Sequence, residues 1–247
     1  MLPWRRHRRS APQLAPAQQA DAWQLCSLLL DYPDDRLVER LPALREAAAG
    51  LPDHVGAPLG RFLELLAVSD LGELQRDYVD TFDVTRKCAL HLTYFLHGDT
   101  RNRGVALVQF KQLYRQHGVE LEEGEGATGE LPDFLPVVLE FGATVAPDAA
   151  WKLLNDHRVG IELLRRALRR RDSAWGDVVD ALRATLPALD GDDEEALARL
   201  IAQGPPQETV GLDDETLNAP YLIPQDPPAA PQTPSHLGST IPVGAPR

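Results

Sequence analysis

Apolar side chains recur every three or four residues along most of this chain, which is the spacing of one face of an α-helix. The clearest example consists of Leu71, Leu74, Tyr78 and Phe82. Asp70 stands just before it as an N-cap candidate, with Glu73 as its capping-box partner. Runs of alternating β-branched residues, which indicate strands, are missing, and 43 % of the residues are apolar, which is enough for a core. The sequence therefore predicts an all-α, single-domain helical bundle.

The same periodicity predicts where the other helices lie. They are expected over residues 17–30, 34–41, 58–68, 90–96, 101–117, 134–141, 148–170, 175–186 and 193–201. Pro42 should limit or kink the second of these, because proline lacks the N–H that an interior position donates. Ser173 is expected to cap the helix that follows it, and Asp192 or Asp193 to begin the last one. Arg158 interrupts the apolar face of the longest helix; we expect its side chain to extend to water, and the alternative is a carboxylate partner.

Composition divides the chain into a domain of residues 17–203 and two flanking segments. Residues 1–16 hold a basic cluster without helical apolar spacing, and we predict that they form a disordered arm. The tail, residues 204–247, is rich in proline, which forbids regular structure, so it is also predicted to be disordered. Its apolar cluster, Leu217–Ile223, is either a docking motif or a spacer.

Charge and cysteine content narrow the classes of function. The formal net charge of −12 argues against nucleic-acid binding and suits a protein that accepts basic partners. Cys26 and Cys88 are expected to be buried thiols rather than a disulfide. The basic start of the chain is not followed by an apolar stretch, and no stretch is apolar for long enough to cross a bilayer. We therefore expect a cytoplasmic protein that is not a membrane protein.

The sequence lacks the common catalytic signatures. It has no glycine-rich phosphate loop, no nucleophile elbow, no His-Glu-x-x-His pair and no dinucleotide fingerprint. A four-ligand metal set is conceivable from Cys88, His91, His97 and Asp99. However, two histidines six residues apart on one predicted helix point in different directions. We therefore predict no catalytic residue, no metal and no cofactor, and a helical metalloenzyme is the distant alternative.

Acidic and aromatic residues are concentrated in the middle of the chain. The acids are Asp77, Asp80, Asp83, Glu130 and Asp133, and the aromatics are Tyr78, Phe82, Tyr94, Phe95 and Phe134. An acidic groove floored by aromatic rings would attract a basic amphipathic segment and hold it as a helix. Surface carboxylates one helical turn apart, however, more often bind a cation or nothing.

A basic set of residues lies between these acids, and two interpretations of it stay open. The set consists of Arg86, Lys87, Arg101, Arg103 and Lys111. Its members either pair with the neighbouring glutamates or contact a phosphate-bearing ligand.

Four segments carry a resemblance to a known family. They are Leu28–Asp34 (LLLDYPD), Tyr78–Asp83 (YVDTFD), His91–Arg101 (HLTYFLHGDTR) and Glu130–Pro136 (ELPDFLP). In this order they resemble the signature of the respiratory nitrate reductase delta subunit. That family consists of NarJ-type molybdenum-cofactor assembly chaperones, within the redox-enzyme maturation group. The resemblance covers roughly residues 20–200 and excludes the tail.

The resemblance implies a function for the acidic and aromatic segment. Family members bind the N-terminal segment of the apo catalytic (alpha) subunit of nitrate reductase, hold it off the membrane until the molybdenum cofactor is inserted, and are absent from the finished enzyme. For the basic set, the phosphate-bearing ligand would then be the molybdopterin nucleotide; otherwise contact with the molybdenum cofactor would be indirect. The motif residues that we add to the predicted peptide-binding set are His91, His97, Asp99, Arg103 and Pro132.

A chaperone of the same type for another molybdoenzyme is the nearest alternative. The chain departs from shorter family members in the insert Gly124–Gly129 and in the proline-rich tail. Partner contacts near those two places are therefore the least transferable.

Overall fold

The computed structural model describes residues 13–121 and 130–206, all of which belong to one compact unit. This part contains twelve α-helices, namely α1 (Pro16–Leu30), α2 (Asp35–Glu39), α3 (Leu41–Ala49), α4 (Asp53–Val68), α5 (Leu71–Tyr78), α6 (Tyr94–His97), α7 (Arg101–Gln116), α8 (Leu135–Thr144), α9 (Pro147–Asp156), α10 (Arg158–Arg170), α11 (Trp175–Ala184) and α12 (Gly191–Gln203). The prediction of an all-α fold is confirmed.

Most of the predicted flanking segments and of the insert lies outside the residues that the structure describes. The basic arm up to residue 12, the insert Gly124–Gly129 and the tail from residue 207, with Leu217–Ile223, lie outside the described residues. The domain limits of 17–203 and the disorder of the flanks therefore stay predictions. Within the described ranges, no helix combines the length and apolar character that crossing a membrane requires.

Helix α1 lies at the centre of the bundle, because it packs against α8 and α11 and also touches α3 and α4. The Trp23 indole N–H donates to Thr185 Oγ1 at 3.1 Å, and Trp175 donates to the carbonyl of Leu29 at 3.1 Å. Both indoles are 1 % exposed, so these bonds satisfy polar atoms that would be costly to leave unpaired. Cys26 and Cys88 are buried free thiols, as predicted.

Two prolines stand where the observed helices differ from the predicted ones. Helix α4 begins at Asp53 rather than at Pro58, which lies inside it and is buried. Pro42 limits the helix before it, as expected, since α2 ends at Glu39; Pro42 itself stands in the first turn of α3, a helix that the prediction missed. Pro42 costs little, because N–H groups in the first turn of a helix have no partner within it. Pro58 lies in the second turn of α4 and removes the N–H that would donate to the carbonyl of His54.

Two predicted helices are interrupted by tertiary contacts. The predicted helix 148–170 divides at His157 into α9, which packs on α8, and α10, which packs on α11 and α12. The His157 ring is buried beside Phe110, with centroids 5.5 Å apart, and its Nδ1 contacts the carbonyl of Leu153 at 2.8 Å. In the predicted helix 90–96, only the part from Tyr94 is helical. The prediction was therefore wrong about the continuity of both segments.

Helix caps were predicted with mixed success. The Asp70 carboxylate accepts from the Glu73 N–H at 3.0 Å, as expected. Ser173 does not cap α11, whose N-cap is Ala174; its hydroxyl is buried without a hydrogen-bond partner in the described chain. The last helix begins earlier than predicted, because the Asp190 carboxylate accepts from the Asp193 N–H at 3.2 Å.

The expectation that Arg158 extends to water was wrong, and its alternative is correct. The side chain of Arg158 is buried and its Nε lies 2.6 Å from Asp193 Oδ2. Asp190 contributes a second, longer contact of 3.4 Å to Nη2. A helix that the sequence places far downstream therefore supplies the carboxylate.

The contact between α1, α8 and α9 leaves no room at Gly142. A Cβ placed there would lie 2.5 Å from Ala150 Cβ and 2.7 Å from the Trp23 ring. We expect Gly142→Ala to lower the free energy of unfolding by about 1–3 kcal/mol, because both neighbours are buried and must shift. Urea unfolding followed by circular dichroism measures this change. Gly60→Ala is the matched control, since no atom lies within 4 Å of its Cβ and alanine favours a helix interior. Equal stability of the two variants would contradict the prediction.

Candidate functional site

Two of the sequence motifs meet in space where the chain enters α8. His91 and Phe134 form an isolated antiparallel bridge. The Leu92 N–H donates to the carbonyl of Asp133 at 3.0 Å, and the Leu135 N–H donates to that of Leu90 at 2.8 Å. These bonds explain why residues 90–92 are extended rather than helical, since their backbone groups are satisfied across the bridge.

The buried side chain of Asp133 lies at the centre of this junction and contacts Thr93 and His91. Its carboxylate is fully buried and accepts from the Thr93 N–H at 3.1 Å and the Thr93 hydroxyl at 2.5 Å. His91 Nδ1 lies 3.3 Å from the same carboxylate, and Arg103 Nη2 lies 4.0 Å away. Burial alone would raise the pKa of Asp133, but the hydrogen bonds from His91 and Thr93 outweigh it and lower the pKa below its ordinary value. Asp133 is thus held as a carboxylate.

Arg103 links this junction to the turn before α7. Its Nε donates to Thr93 Oγ1 at 3.3 Å, its Nη1 lies 3.3 Å from Asp99, and the guanidinium stands 5.9 Å above the Tyr94 ring. Gly98 closes the turn with a φ of 57°, and a Cβ there would collide with the carbonyl of Pro206. Glycine is therefore required at position 98 both by its backbone conformation and by the close approach of the chain after α12.

An open groove of about 440 Å³ lies beside the bridge. It is lined by Asp31, Tyr32, Tyr78, Phe82, Asp83, Leu90, His91, Glu130, Leu131 and Phe134. We call it the acidic groove. Its floor is aromatic, since the Tyr78 and Phe82 rings lie 4.7 Å apart and both pack edge-on against buried Trp175.

The helix that supplies this floor changes its winding at the groove. Helix α5 ends at Tyr78 and continues as a π-helical turn, Val79–Asp83. This wider turn buries Phe82 and leaves Asp83 exposed at the groove. Tyr78 itself is fixed by its hydroxyl, which donates to the carbonyl of Leu30 at 3.0 Å. Short π-helical segments are frequent at functional sites.

Burial and neighbouring negative charges disfavour the ionised forms of Asp31 and Glu130 in the acidic groove. Burial raises the pKa of Glu130, and the nearby charges of Asp31 and Glu140 raise it further. The pKa of Asp31 is also raised, mainly by burial. Burial together with Asp31, Asp83 and Glu130 raises the pKa of Tyr78. A cation in this groove would relieve the repulsion, so the site favours positively charged ligands.

The structure brings together only part of the predicted peptide-binding set. The predicted residues that line the acidic groove are Tyr78, Phe82, Asp83, His91, Glu130 and Phe134. The prediction missed Asp31, Tyr32, Leu90 and Leu131. Asp31 and Tyr32 belong to the segment Leu28–Asp34, whose place among the four motifs was the signal that could have found them.

The other predicted residues lie away from the groove. One group of them lies where the two motifs meet. There Arg103 contacts Asp133, Asp99 and the ring of Tyr94. Asp77 is exposed and lines no described groove, and Asp80 pairs with Arg171 at 2.6 Å. Phe95 is buried beside Gly160, and the Pro132 carbonyl accepts from the Tyr114 hydroxyl at 2.7 Å. Their role in peptide binding stays a prediction.

The residues of the metal hypothesis do not form one site. Cys88 is buried in a 3-10 turn, His91 pairs with Asp133, and burial lowers the pKa of half-buried His97. Within the described residues, no three ligand-type side chains are grouped so that they could hold a metal ion.

The basic set is only partly accounted for by the structure. Arg103 contacts aspartates rather than glutamates. The glutamates at positions 122, 123 and 125 lie outside the described part of the chain.

Comparisons with known proteins identify relatives of this chain. It is 40 % identical over 163 residues to the nitrate reductase-like protein NarX of Mycobacterium tuberculosis, a match that covers 66 % of this chain and 24 % of NarX. The chain thus spans about a quarter of that relative. It is 34 % identical over 172 residues to the nitrate reductase molybdenum cofactor assembly chaperone NarJ of Escherichia coli, covering 68 % of this chain and 71 % of NarJ.

A solved structure supports the same fold. The crystal structure of a candidate redox enzyme maturation protein from Archaeoglobus fulgidus superposes with a TM-score of 0.50 at 22 % identity, covering 73 % of this chain and 98 % of the other. The model of the nitrate reductase delta subunit family matches residues 48–180, which is more than half of the chain and includes α5, the bridge and the start of α8. This match and the extent of the similarity to NarJ show that the chain belongs to the nitrate reductase delta subunit family, the NarJ-type chaperones.

Proposed function

We propose that this protein is an assembly chaperone for the catalytic subunit of a membrane-bound respiratory nitrate reductase. It binds the N-terminal segment of the apo subunit in the cytoplasm, before membrane attachment, and leaves once the molybdenum cofactor is inserted. The name of the NarJ relative, a molybdenum cofactor assembly chaperone, supports the role. The observation that carries the proposal is the acidic groove with its aromatic floor.

The chemistry of the groove fits a basic amphipathic helix. Asp31, Asp83 and Glu130 form no ion pair with any described residue, so their charges are available to a partner. The partly exposed rings of Tyr32 and Phe134 offer apolar surface next to these charges. A helix with lysine or arginine on one face and apolar side chains on the other satisfies both features.

The proposed mechanism is timed binding rather than catalysis. Occupying the N-terminal segment keeps the apo subunit from reaching the membrane while its interior is still accessible. Electrostatic attraction between the groove and the segment gives fast association, and the modest apolar contact allows release.

Calorimetric titration of the full chain tests this function. The ligand is a synthetic peptide of the N-terminal segment of the nitrate reductase catalytic subunit from the same genome, and a scrambled peptide is the control. We expect saturable one-to-one binding that weakens with salt. Binding instead of the corresponding peptide from another molybdoenzyme would change the client. Failure of all such peptides to bind the folded protein would refute the proposal.

Charge reversal in the groove is expected to weaken this binding. Two lost attractions and two new repulsions in Asp83→Lys/Glu130→Lys should raise Kd more than about tenfold and flatten its salt dependence. Glu73→Lys is the comparison variant, since Glu73 is acidic and exposed on α5 but lies outside the groove and outside the predicted peptide-binding set. An equal loss from Glu73→Lys alone would place the peptide on another face of α5.

A further inference from the structure

A second groove lies on the other side of Tyr32. It encloses about 490 Å³ and is lined by Tyr32, Gly72, Gln75, Arg76, Val79, Asp80 and Val84. We call it the Arg76 groove. Tyr32 lines both grooves, is 48 % exposed, and packs edge-on against Tyr78 at 5.5 Å. It therefore forms a ridge between two depressions of similar size.

The Arg76 groove has an apolar wall that nothing in the described chain covers. Val79 is 39 % exposed, and Val84, which follows the π-helical turn, is 68 % exposed. Exposed valines that line a concave surface beside another groove, here the acidic groove, are typical of an interaction site.

The two grooves differ in the sign of their uncompensated charge. Arg76 has no carboxylate partner in the described chain, while Asp80 is neutralised by Arg171. The unpaired charge of this groove is therefore positive. In the acidic groove it is negative, because Asp31, Asp83 and Glu130 are unpaired and His91 faces Asp133.

We propose that the two grooves are one binding track, and that a single basic amphipathic helix crosses Tyr32 with its N-terminal end over the acidic groove. This inference rests on the proposed function, because the occupant is the N-terminal segment of the catalytic subunit. Two electrostatic effects favour this orientation of the bound helix. The positive end of the helix dipole, together with basic side chains in the first turns, faces the carboxylates, and the negative end faces Arg76. Apolar side chains on either side of Tyr32 contact Phe134 and Val84.

Affinity measurements test whether the Arg76 groove takes part. Val84→Ser and Arg76→Glu should each raise the Kd of the N-terminal peptide about five- to tenfold, through lost apolar burial and through repulsion of the C-terminal end of the helix. Val68→Ser and Arg115→Glu are matched controls, because both residues are exposed and lie outside the two grooves. We expect less than a twofold change for the controls.

Thiol exchange tests the direction of the helix. Leu131→Cys marks the acidic groove and Val84→Cys the Arg76 groove, while the native cysteines are buried. The peptide carries a thiopyridyl-activated cysteine at one end, so that attack by the protein thiolate forms the cross-link and releases thiopyridone. The N-terminally activated peptide should react several-fold faster with Leu131→Cys, and the C-terminally activated one with Val84→Cys.

The outcomes separate this inference from the proposed function. Absence of peptide binding to the wild-type protein contradicts the function itself. Normal wild-type binding, with Val84→Ser and Arg76→Glu indistinguishable from their controls, overturns the single track. A reversed cross-linking pattern, or equal rates at both positions, overturns the direction.

Discussion

Asp133→Ala is expected to lower the free energy of unfolding by about 2–4 kcal/mol and to weaken peptide binding. Removal of this carboxylate leaves the Thr93 N–H and hydroxyl without their buried acceptor and frees the His91 ring, which lines the acidic groove. Urea unfolding and calorimetric titration measure the two effects. Asp99→Ala is the control, because Asp99 also contacts Arg103 but its side chain is 70 % exposed. A change of less than about 0.5 kcal/mol for Asp133→Ala would contradict this role.

The same carboxylate gives a pH dependence with a defined sign. Because the folded-state pKa of Asp133 is lowered from 3.8, its stabilising effect is complete above that value and is lost as pH falls through the folded-state pKa. The stability difference between wild type and Asp133→Asn should therefore shrink as the pH falls below about 4. Unfolding measured over this range checks the prediction. A difference that grows as the pH falls would reverse the sign and exclude the proposed hydrogen bonding.

The sequence was informative where the site depends on one stretch of chain. Tyr78 and Phe82 recur at helical spacing and Asp83 follows directly, so the sequence alone placed two aromatic rings and an acid on one short segment. Asp31 and Tyr32 reach the groove from the end of α1, through the packing of α5 that the Tyr78 hydroxyl fixes to Leu30. No local pattern encodes that contact, and for this reason the prediction missed Asp31, one of the three acids of the groove.

Residues 90–92 show a second limit of local reasoning. A short apolar run fits a buried helix and an extended segment equally well, and only its partners decide between them. Here the partner is the backbone of Asp133 and Leu135, more than 40 residues further along the chain. The break at His157 has the same origin, because α9 and α10 pack on different helices.

Arg158 illustrates a third case, in which two outcomes were foreseen and the less favoured one occurred. A long cationic side chain on an apolar face usually extends to water, and Glu162, the acid one helical turn further on, pairs with Arg165 and Arg166 instead. The carboxylate comes from Asp193 on α12, which docks against α10 and is itself only 3 % exposed. The position of α12 is thus coupled to the burial of one arginine.

Asp193→Ala is expected to destabilise the protein by about 3–5 kcal/mol, because it leaves the buried guanidinium of Arg158 with only the 3.4 Å contact to Asp190. Asp192→Ala, an exposed neighbour in the same helical turn, should change stability by less than about 0.5 kcal/mol. Chemical unfolding of both variants measures the difference. Equal stability of Asp193→Ala and wild type would mean that water reaches Arg158.

Replacing both partners separates the cost of an unpaired charge from the value of the pair. Arg158→Met/Asp193→Leu removes the two charges and keeps apolar volume between α10 and α12, so its stability should return to within about 1 kcal/mol of wild type. Recovery of this kind would show that the ion pair determines where α12 docks more than how tightly the bundle folds. A double variant as unstable as Asp193→Ala would instead assign the loss to packing and to the cap that Asp193 shares with Asp190. Where α12 is loosened, as expected for Asp193→Ala, Pro206 should separate from Gly98, and faster amide exchange at the start of α7 would report that separation.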